Sequence, residues 1–150
     1  MAQSLARILV HLIFSTKDRG AVLAQAVRPD LRAYFVGILS KLDCPCLEVG
    51  CVTDHAHMLF ALHRTRSAAE VVEEIKKASS KWLKTRGPAM RNFHWQNGYG
   101  AFSVSPSGEA DVRAYILNQE EHHRRVTFQD EFRAFLHRHG VPFDERYVWD

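Results

Sequence analysis

The sequence predicts an α+β fold, an antiparallel sheet built as β-α-β-β-α-β with two helices on one face, plus a further helix towards the C-terminus. Three observations predict it. Four β-rich runs, at 7–15, 47–52, 55–62 and 101–105, alternate with two stretches of helical apolar spacing. The second and third runs are joined tightly at Thr53-Asp54. Turn and capping residues fall where one periodicity gives way to the other.

Arg7 to Ser15 (RILVHLIFS) is almost continuously apolar and reads as a central strand. The polar loop Thr16 to Gly20 follows. From about Gln25 to Lys41, Val27, Leu31, Phe35, Ile38 and Leu42 recur at intervals of three and four, the stripe of an amphipathic helix. Pro29 is tolerable in its first turn, and Asp43-Cys44-Pro45 ends it. Two strands, Leu47 to Val52 and His55 to Leu62, come next. Ser67 with Glu70 three residues on is a capping box. It opens a helix to about Thr85 with Val71, Ile75, Ala78 and Trp82 on one side, stopped by Gly87-Pro88. A turn at Asn97-Gly98 leads into the alternating strand Ala101 to Ser105. Glu109 and Asp111 favour a helix N-terminus, and that helix is expected to continue to about Arg124. A last short helix spans Gln129 to Arg138; the tail from Val141 has no usable period. The first six elements form the ferredoxin-like split arrangement. It leaves one sheet face open for a ligand, with the third helix outside the unit.

Residues 1–150 are read as one domain, large enough for its own core, with the 46% hydrophobic and 25% charged content of a soluble globular protein. No apolar run approaches the ~18 residues of a membrane span. The apolar patch from Met1 to Phe14 is broken by Arg7 and His11 and carries no cleavage-type signal, so the protein is expected in the cytoplasm, without a membrane partner. Cys44, Cys46 and Cys51 are read as small buried hydrophobes; zinc held by them and a histidine is the alternative, although the spacing is not Cys-x-x-Cys. From Lys76 to Arg91 the chain is basic, with Lys76, Lys77, Lys81, Lys84, Arg86 and Arg91 and no acid. Either this is a solvated helix face or it tracks phosphates.

The chemistry gathers on Thr53-Asp54-His55-Ala56-His57-Met58-Leu59-Phe60. On a strand, residues i and i+2 share a face, so both imidazoles converge on one point. They make half of a metal site. In the third helix Tyr115 and Gln119 are four apart and share a face, with His122 and His123 a turn further on. Taken alone, Tyr115 reads as a packing residue and Gln119 as a solvated one; His122 and His123 could touch DNA or the metal shell but are not expected to ligate. His11, His63 and His94 read as packed or surface histidines.

His55-Ala56-His57 resembles the His-hydrophobic-His signature of HUH nucleases. Tyr115-Ile116-Leu117-Asn118-Gln119, preceded by the segment from Trp95 to Ser105, is similar to the single-tyrosine transposases of the insertion-sequence 200/605 group. So are Ser15 to Arg19 and Phe143 to Tyr147, in the expected order. The resemblance implies that His55, His57 and Gln119 bind a divalent metal, Mg2+ or Mn2+, and that Tyr115 is the nucleophile. It implies a homodimer in which the tyrosine helix of one subunit completes the site of the other. The implied substrate is single-stranded DNA from element ends, recognised partly through hairpins.

Neutral ligands leave the cation's full charge for the scissile phosphate, and a tyrosyl ester keeps the phosphodiester's energy for rejoining. Candidate DNA contacts are Lys17, Arg19, Lys76, Lys77, Lys81 and Lys84; Trp95, Tyr99 and Phe102 are either stacking platforms for bases or, the commoner case, buried packing residues. Rival readings are a replication initiator or relaxase with the same site, a domesticated hairpin-binding protein, and a zinc-stabilised module built on the cysteines.

Overall fold

The structure, a computed structural model, describes residues 2–150. Strand β1 (Ile8–Ser15) is followed by helix α1 (Arg28–Lys41), strands β2 (Cys46–Cys51) and β3 (His55–Leu62), helix α2 (Ala68–Leu83) and strand β4 (Gly100–Val104). Helices α3 (Glu109–Leu117), α4 (Gln119–His123) and α5 (Phe128–Arg138) complete the chain. The sheet runs β2-β3-β1-β4 with every neighbouring pair antiparallel. This is the predicted β-α-β-β-α-β order, with α1 and α2 together on one face.

That face holds the larger core. Val10, Leu12 and Phe14 of β1 and Ala56, Met58 and Phe60 of β3 meet Leu31, Phe35 and Leu39 of α1 and Val71, Val72 and Ile75 of α2. The capping box forms: the Ser67 hydroxyl accepts from the Glu70 amide at 3.1 Å. The three cysteines are free thiols. Among the described residues they join no cluster of metal-ligating side chains, which removes the footing of a cysteine–zinc module.

The second face is not open. Helices α3 and α5 lie across it, because Ile116 packs on Leu9 and Leu59 while Phe128, Phe132, Phe135 and Leu136 pack on Ile13 and Phe102. Phe143, Val148 and Trp149 of the tail join the second group. The sequence expectation of an exposed face failed because four apolar residues of α5, too few to look like a core from periodicity alone, find partners there. One row across the sheet explains how close the helices come. Gly50, His57, Ile13 and Gly100 stand side by side on β2, β3, β1 and β4. A Cβ on Gly50 would lie 2.8 Å from the Ile116 carbonyl oxygen, and one on Gly100 would lie 2.7 Å from the Phe132 ring. The two glycines seat α3 and α5 on either side of the His57 imidazole.

The expected single helix from Glu109 to about Arg124 is broken at Asn118, whose φ of −97° and ψ of 19° leave the helical region. No described helix is long and apolar enough to cross a membrane.

Candidate active site and metal centre

β3 projects His55 and His57 onto the second face, as alternation requires, and both rings are fully buried. α3 brings Tyr115 over them, with its ring centroid 5.8 Å from that of His57. The tyrosine therefore sits beside the histidines of its own chain. α4 adds His123 and α5 adds Glu131. One ligand atom from each of His55, His57, His123 and Glu131 lies within 4.8 Å of all the others, a group able to hold a metal ion.

Each imidazole is oriented through its other nitrogen. His55 Nδ1 is 2.7 Å from Asp54 Oδ1, His57 Nδ1 is 2.9 Å from His11 Nε2, and His123 Nδ1 is 2.8 Å from the Val126 carbonyl oxygen. These partners at the three Nδ1 atoms fix the ring orientations, so that the three Nε2 atoms face one space. This is how outer partners prepare imidazoles for a metal, so the donor set fits a divalent cation. Glu131 faces the same space with both oxygens: Oε1 is 2.9 Å from His57 Nε2, and Oε2 is 3.0 Å from His123 Nε2.

The Tyr115 hydroxyl donates to Glu131 Oε2 and lies 3.1 Å from His122 Nε2. Burial and then the Glu131 carboxylate hold the phenol well above the usual tyrosine range. Burial alone would raise Glu131 too, but hydrogen bonds from His123 and His57 outweigh it and keep the carboxylate ionised far below its ordinary range. Burial takes His57 down to about 4 despite Glu131, and His11 down to about 3. For His123 burial is outweighed by Glu131, and its pKa rises.

Of the residues singled out in the sequence, His55, His57, Tyr115 and Gln119 come together. Gln119 is buried; its amide donates to the Tyr115 carbonyl at 3.1 Å, and its Oε1 lies 2.8 Å from His123 Nε2. His11, expected to be a packed histidine, is packed against His57. Glu131 was missed as a site residue, and His123, weighed in the sequence but set aside as a ligand, joins the cluster. A sequence signal existed for Glu131: it is the one acid in the stripe Phe128, Phe132, Phe135, Leu136.

The DNA candidates scatter. Trp95 is only 6% exposed, edge-on to Phe14 and Phe93 with its indole N–H on Ser79 Oγ, so it offers no face to a base. Phe102 is 4% exposed and stacks on Phe135 and His139. Lys76 spends its ammonium on the carbonyl oxygens of Gln96, Asn97 and Gly98 at 2.8, 3.2 and 2.5 Å, which ties down the expected turn. Lys77 and Lys81 on α2 and Lys84 just beyond its end are exposed, in the layer opposite the histidines. Lys17 is exposed beyond β1, Arg19 lies over Trp149, and Tyr99 is 39% exposed beside Lys76.

Nearer the site, two mouths are rimmed by arginines that the sequence did not single out. One, of about 500 Å³, is lined by Tyr115, Asn118, Glu121, His122 and Arg125. The other, of about 380 Å³, reaches His123 past Arg28, Asp54, Glu120 and Arg124.

A His-x-His strand on a ferredoxin-like sheet, with a tyrosine on a later helix against it, is the arrangement of the HUH class. The family "Transposase IS200 like" matches residues 4–119, and the chain belongs to that family. A protein of Deinococcus radiodurans R1 assigned as a transposase, solved by crystallography at 1.90 Å resolution, has 23% identity and a TM-score of 0.62, over 79% of this chain and 98% of that one. A REP-associated tyrosine transposase bound to a REP hairpin has 14% identity and a TM-score of 0.60, over 84% of this chain and 76% of that one. No curated protein sequence matches. His122, His123 and Glu131 lie beyond the residues that the family matches.

Proposed function

We propose that this transposase cleaves and rejoins single-stranded DNA at the ends of an insertion element through a 5′-phosphotyrosine on Tyr115. The observation that carries the reading is the Tyr115 hydroxyl, hydrogen-bonded to Glu131 in the same buried cluster as His55 and His57. In the first step Tyr115 Oη forms a bond to phosphorus and the bond to the 3′-oxygen breaks, leaving a free 3′-hydroxyl. Rejoining reverses it, with a 3′-hydroxyl attacking the tyrosyl ester, so no external energy source enters.

The chain's own residues account for the supporting steps. Glu131 Oε2 is the acceptor aligned with the phenolic proton, and its ionisation survives burial through His57 and His123. Arg28, Arg124 and Arg125 stand at the mouths, where a phosphate backbone would arrive. His55 and His57, with Gln119 as the resemblance implies, hold a divalent cation, Mg2+ or Mn2+. That cation supplies charge to polarise the scissile phosphate and to offset the leaving oxygen.

Hairpin ends are the proposed recognition element, in line with the hairpin bound by the REP-associated relative. Excision needs two cleavages and hence two tyrosines, which a homodimer provides. Mixing Tyr115→Phe with His55→Ala protein tests exchange of the tyrosine helix: restored cleavage means sites shared between subunits, and none after subunit exchange means sites complete within one chain. The free thiols suit a reducing cytoplasm.

The test of the main reading is incubation with single-stranded oligonucleotides and Mn2+ or Mg2+. A covalent protein–DNA adduct is expected from the wild type and none from Tyr115→Phe. An adduct that persists in Tyr115→Phe overturns the assignment.

A further inference from the structure

We infer that a cavity of about 420 Å³ beside the tyrosine's mouth binds the unpaired nucleotide next to the cleaved phosphate, its base read by Asn118 and the open edge of β2 and its phosphate held by Arg32. This rests on the cleavage at Tyr115 proposed above and adds a substrate subsite to it.

The cavity lies where β2 ends the sheet. In the order β2-β3-β1-β4, one side of β2 has no neighbouring strand. The Val52 amide donates to the His55 carbonyl of β3 at 3.1 Å. Peptide groups alternate in direction along a strand. Gly50 therefore also turns to β3, opposite His57, while Val49 and Cys51 turn N–H and C=O outward. Among the described residues those outward groups find no backbone partner, and Val49, Gly50 and Cys51 line the cavity. An outward N–H beside an outward C=O offers one donor and one acceptor, which the Watson–Crick edge of an unstacked base can match.

The break after α3 supplies another wall. Leu117 ends the helix 67% exposed, and Asn118 follows outside the helical region; both line the cavity. Leu117 gives a flat ring an apolar platform. The Asn118 carboxamide, with a donor and an acceptor of its own, caps no helix and is free for a base. Asn118 and Glu121 also line the mouth that holds Tyr115, so one trough runs from the phenol into the cavity. A strand cleaved at Tyr115 lays its neighbouring nucleotide there.

The charges suit a nucleotide. Glu121 is paired with Arg124 at 3.0 Å and Glu120 with Arg28 at 3.5 Å. Arg32 of α1 lines the same cavity and enters no ion pair among the described residues, which leaves its guanidinium fork for a phosphate. The rival occupant is a strand of a second copy added to the β2 edge. Main-chain pairing would use neither Arg32 nor Asn118, and both favour the nucleotide.

Two arms test this on the full chain. In the first, wild type with Mn2+ forms adducts with a single-stranded oligonucleotide pool of random sequence, and sequencing of the attached strands reads the position beside the junction. One base should be favoured there by roughly 5–150-fold, and Asn118→Ala should flatten that position alone. In the second, Tyr115→Phe protein, which forms no adduct, binds the same pool. Adding Arg32→Ala should weaken binding of all sequences and lower the salt slope by about one. Lys41→Ala, on the same helix but outside the cavity, is the control. Hydrogen exchange should find the Val49 and Cys51 amides open without DNA and slowed with it, against Gly50 and Val52 in the ladder. Circular dichroism checks folding; should Asn118→Ala not fold, Asn118→Asp, which exchanges the donor for an acceptor, must shift the preferred base.

No preference beside the junction, an unchanged profile in the Asn118 variant, or an unchanged salt slope in Arg32→Ala overturns the proposal. So does protection of Val49 and Cys51 before DNA is added, the mark of a second copy on the edge. Absence of any adduct overturns the cleavage reading instead, and the second arm, which needs none, still decides the cavity.

Discussion

Gly50→Ala puts the seating of the tyrosine helix to a direct test. The added methyl would lie 2.8 Å from the Ile116 carbonyl oxygen and 3.1 Å from its Cγ2. The nearer atom is backbone, so α3 must move rather than a side-chain tip. Ordinary contact begins at 3.4 Å, which asks for a shift of about 0.6 Å. Overpacking of this kind costs about 1–3 kcal/mol, and each kcal/mol lowers the melting temperature by roughly 2–4 °C in a chain of this size. Tyr115 is the neighbour of Ile116 and moves with it. Displacements near 1 Å from a reactive geometry lower rates by up to about 100-fold, so adduct formation should fall more than stability explains. Thermal melting and a single-turnover adduct assay on the same preparation read both effects. Gly37→Ala is the control: nothing lies within 4 Å of its added carbon, and alanine in α1 should be neutral or stabilising by up to about 1 kcal/mol. A Gly50→Ala protein that melts and reacts like wild type would refute the claim that this glycine sets the height of the tyrosine.

Two further outcomes follow from burial. In metal-free protein, stability should fall as pH drops from 6.5 towards 4, because unfolded histidines bind protons across that window while His57 stays neutral to about 4 and His11 to about 3. His57 alone contributes about 3 kcal/mol to the loss; Glu131 acts in the same direction below its ordinary range, and the raised His123 acts oppositely only above 6.5. Urea titrations in EDTA that give a flat profile from pH 7 to 4.5 would contradict the neutral, buried pair. Trp95→Phe should lower the melting temperature by a few degrees and leave affinity for a single-stranded oligonucleotide within about twofold, since the indole lies in the core; a tenfold drop in folded protein would return Trp95 to the DNA surface.

The β-α-β-β-α-β order and the His-x-His strand were legible because two periodicities, 2 and 3.6, record which face each residue buries. What was illegible is mostly non-local. Nothing near Glu131 in sequence reveals that α5 would set it 2.9 Å from His57, 74 residues away. The acid inside an apolar stripe was the one local sign. Trp95 and Phe102 misled because an aromatic in a loop or edge strand looks the same whether it meets a base or a neighbouring ring. Lys76 misled because a charge run does not say which ammonium will find three carbonyls. Ile116 of α3 rests on Gly50, Leu9 and Leu59, and neither that contact nor the break at Asn118 has a counterpart in helix propensity.

The most direct measurement of the central claim is tandem mass spectrometry of the protein–oligonucleotide adduct after protease and nuclease digestion. A nucleotide joined through its 5′-phosphate to the Tyr115 oxygen is the expected product, with a matching 3′-hydroxyl fragment in solution. Attachment at any other residue, or through a 3′-phosphate, would contradict it.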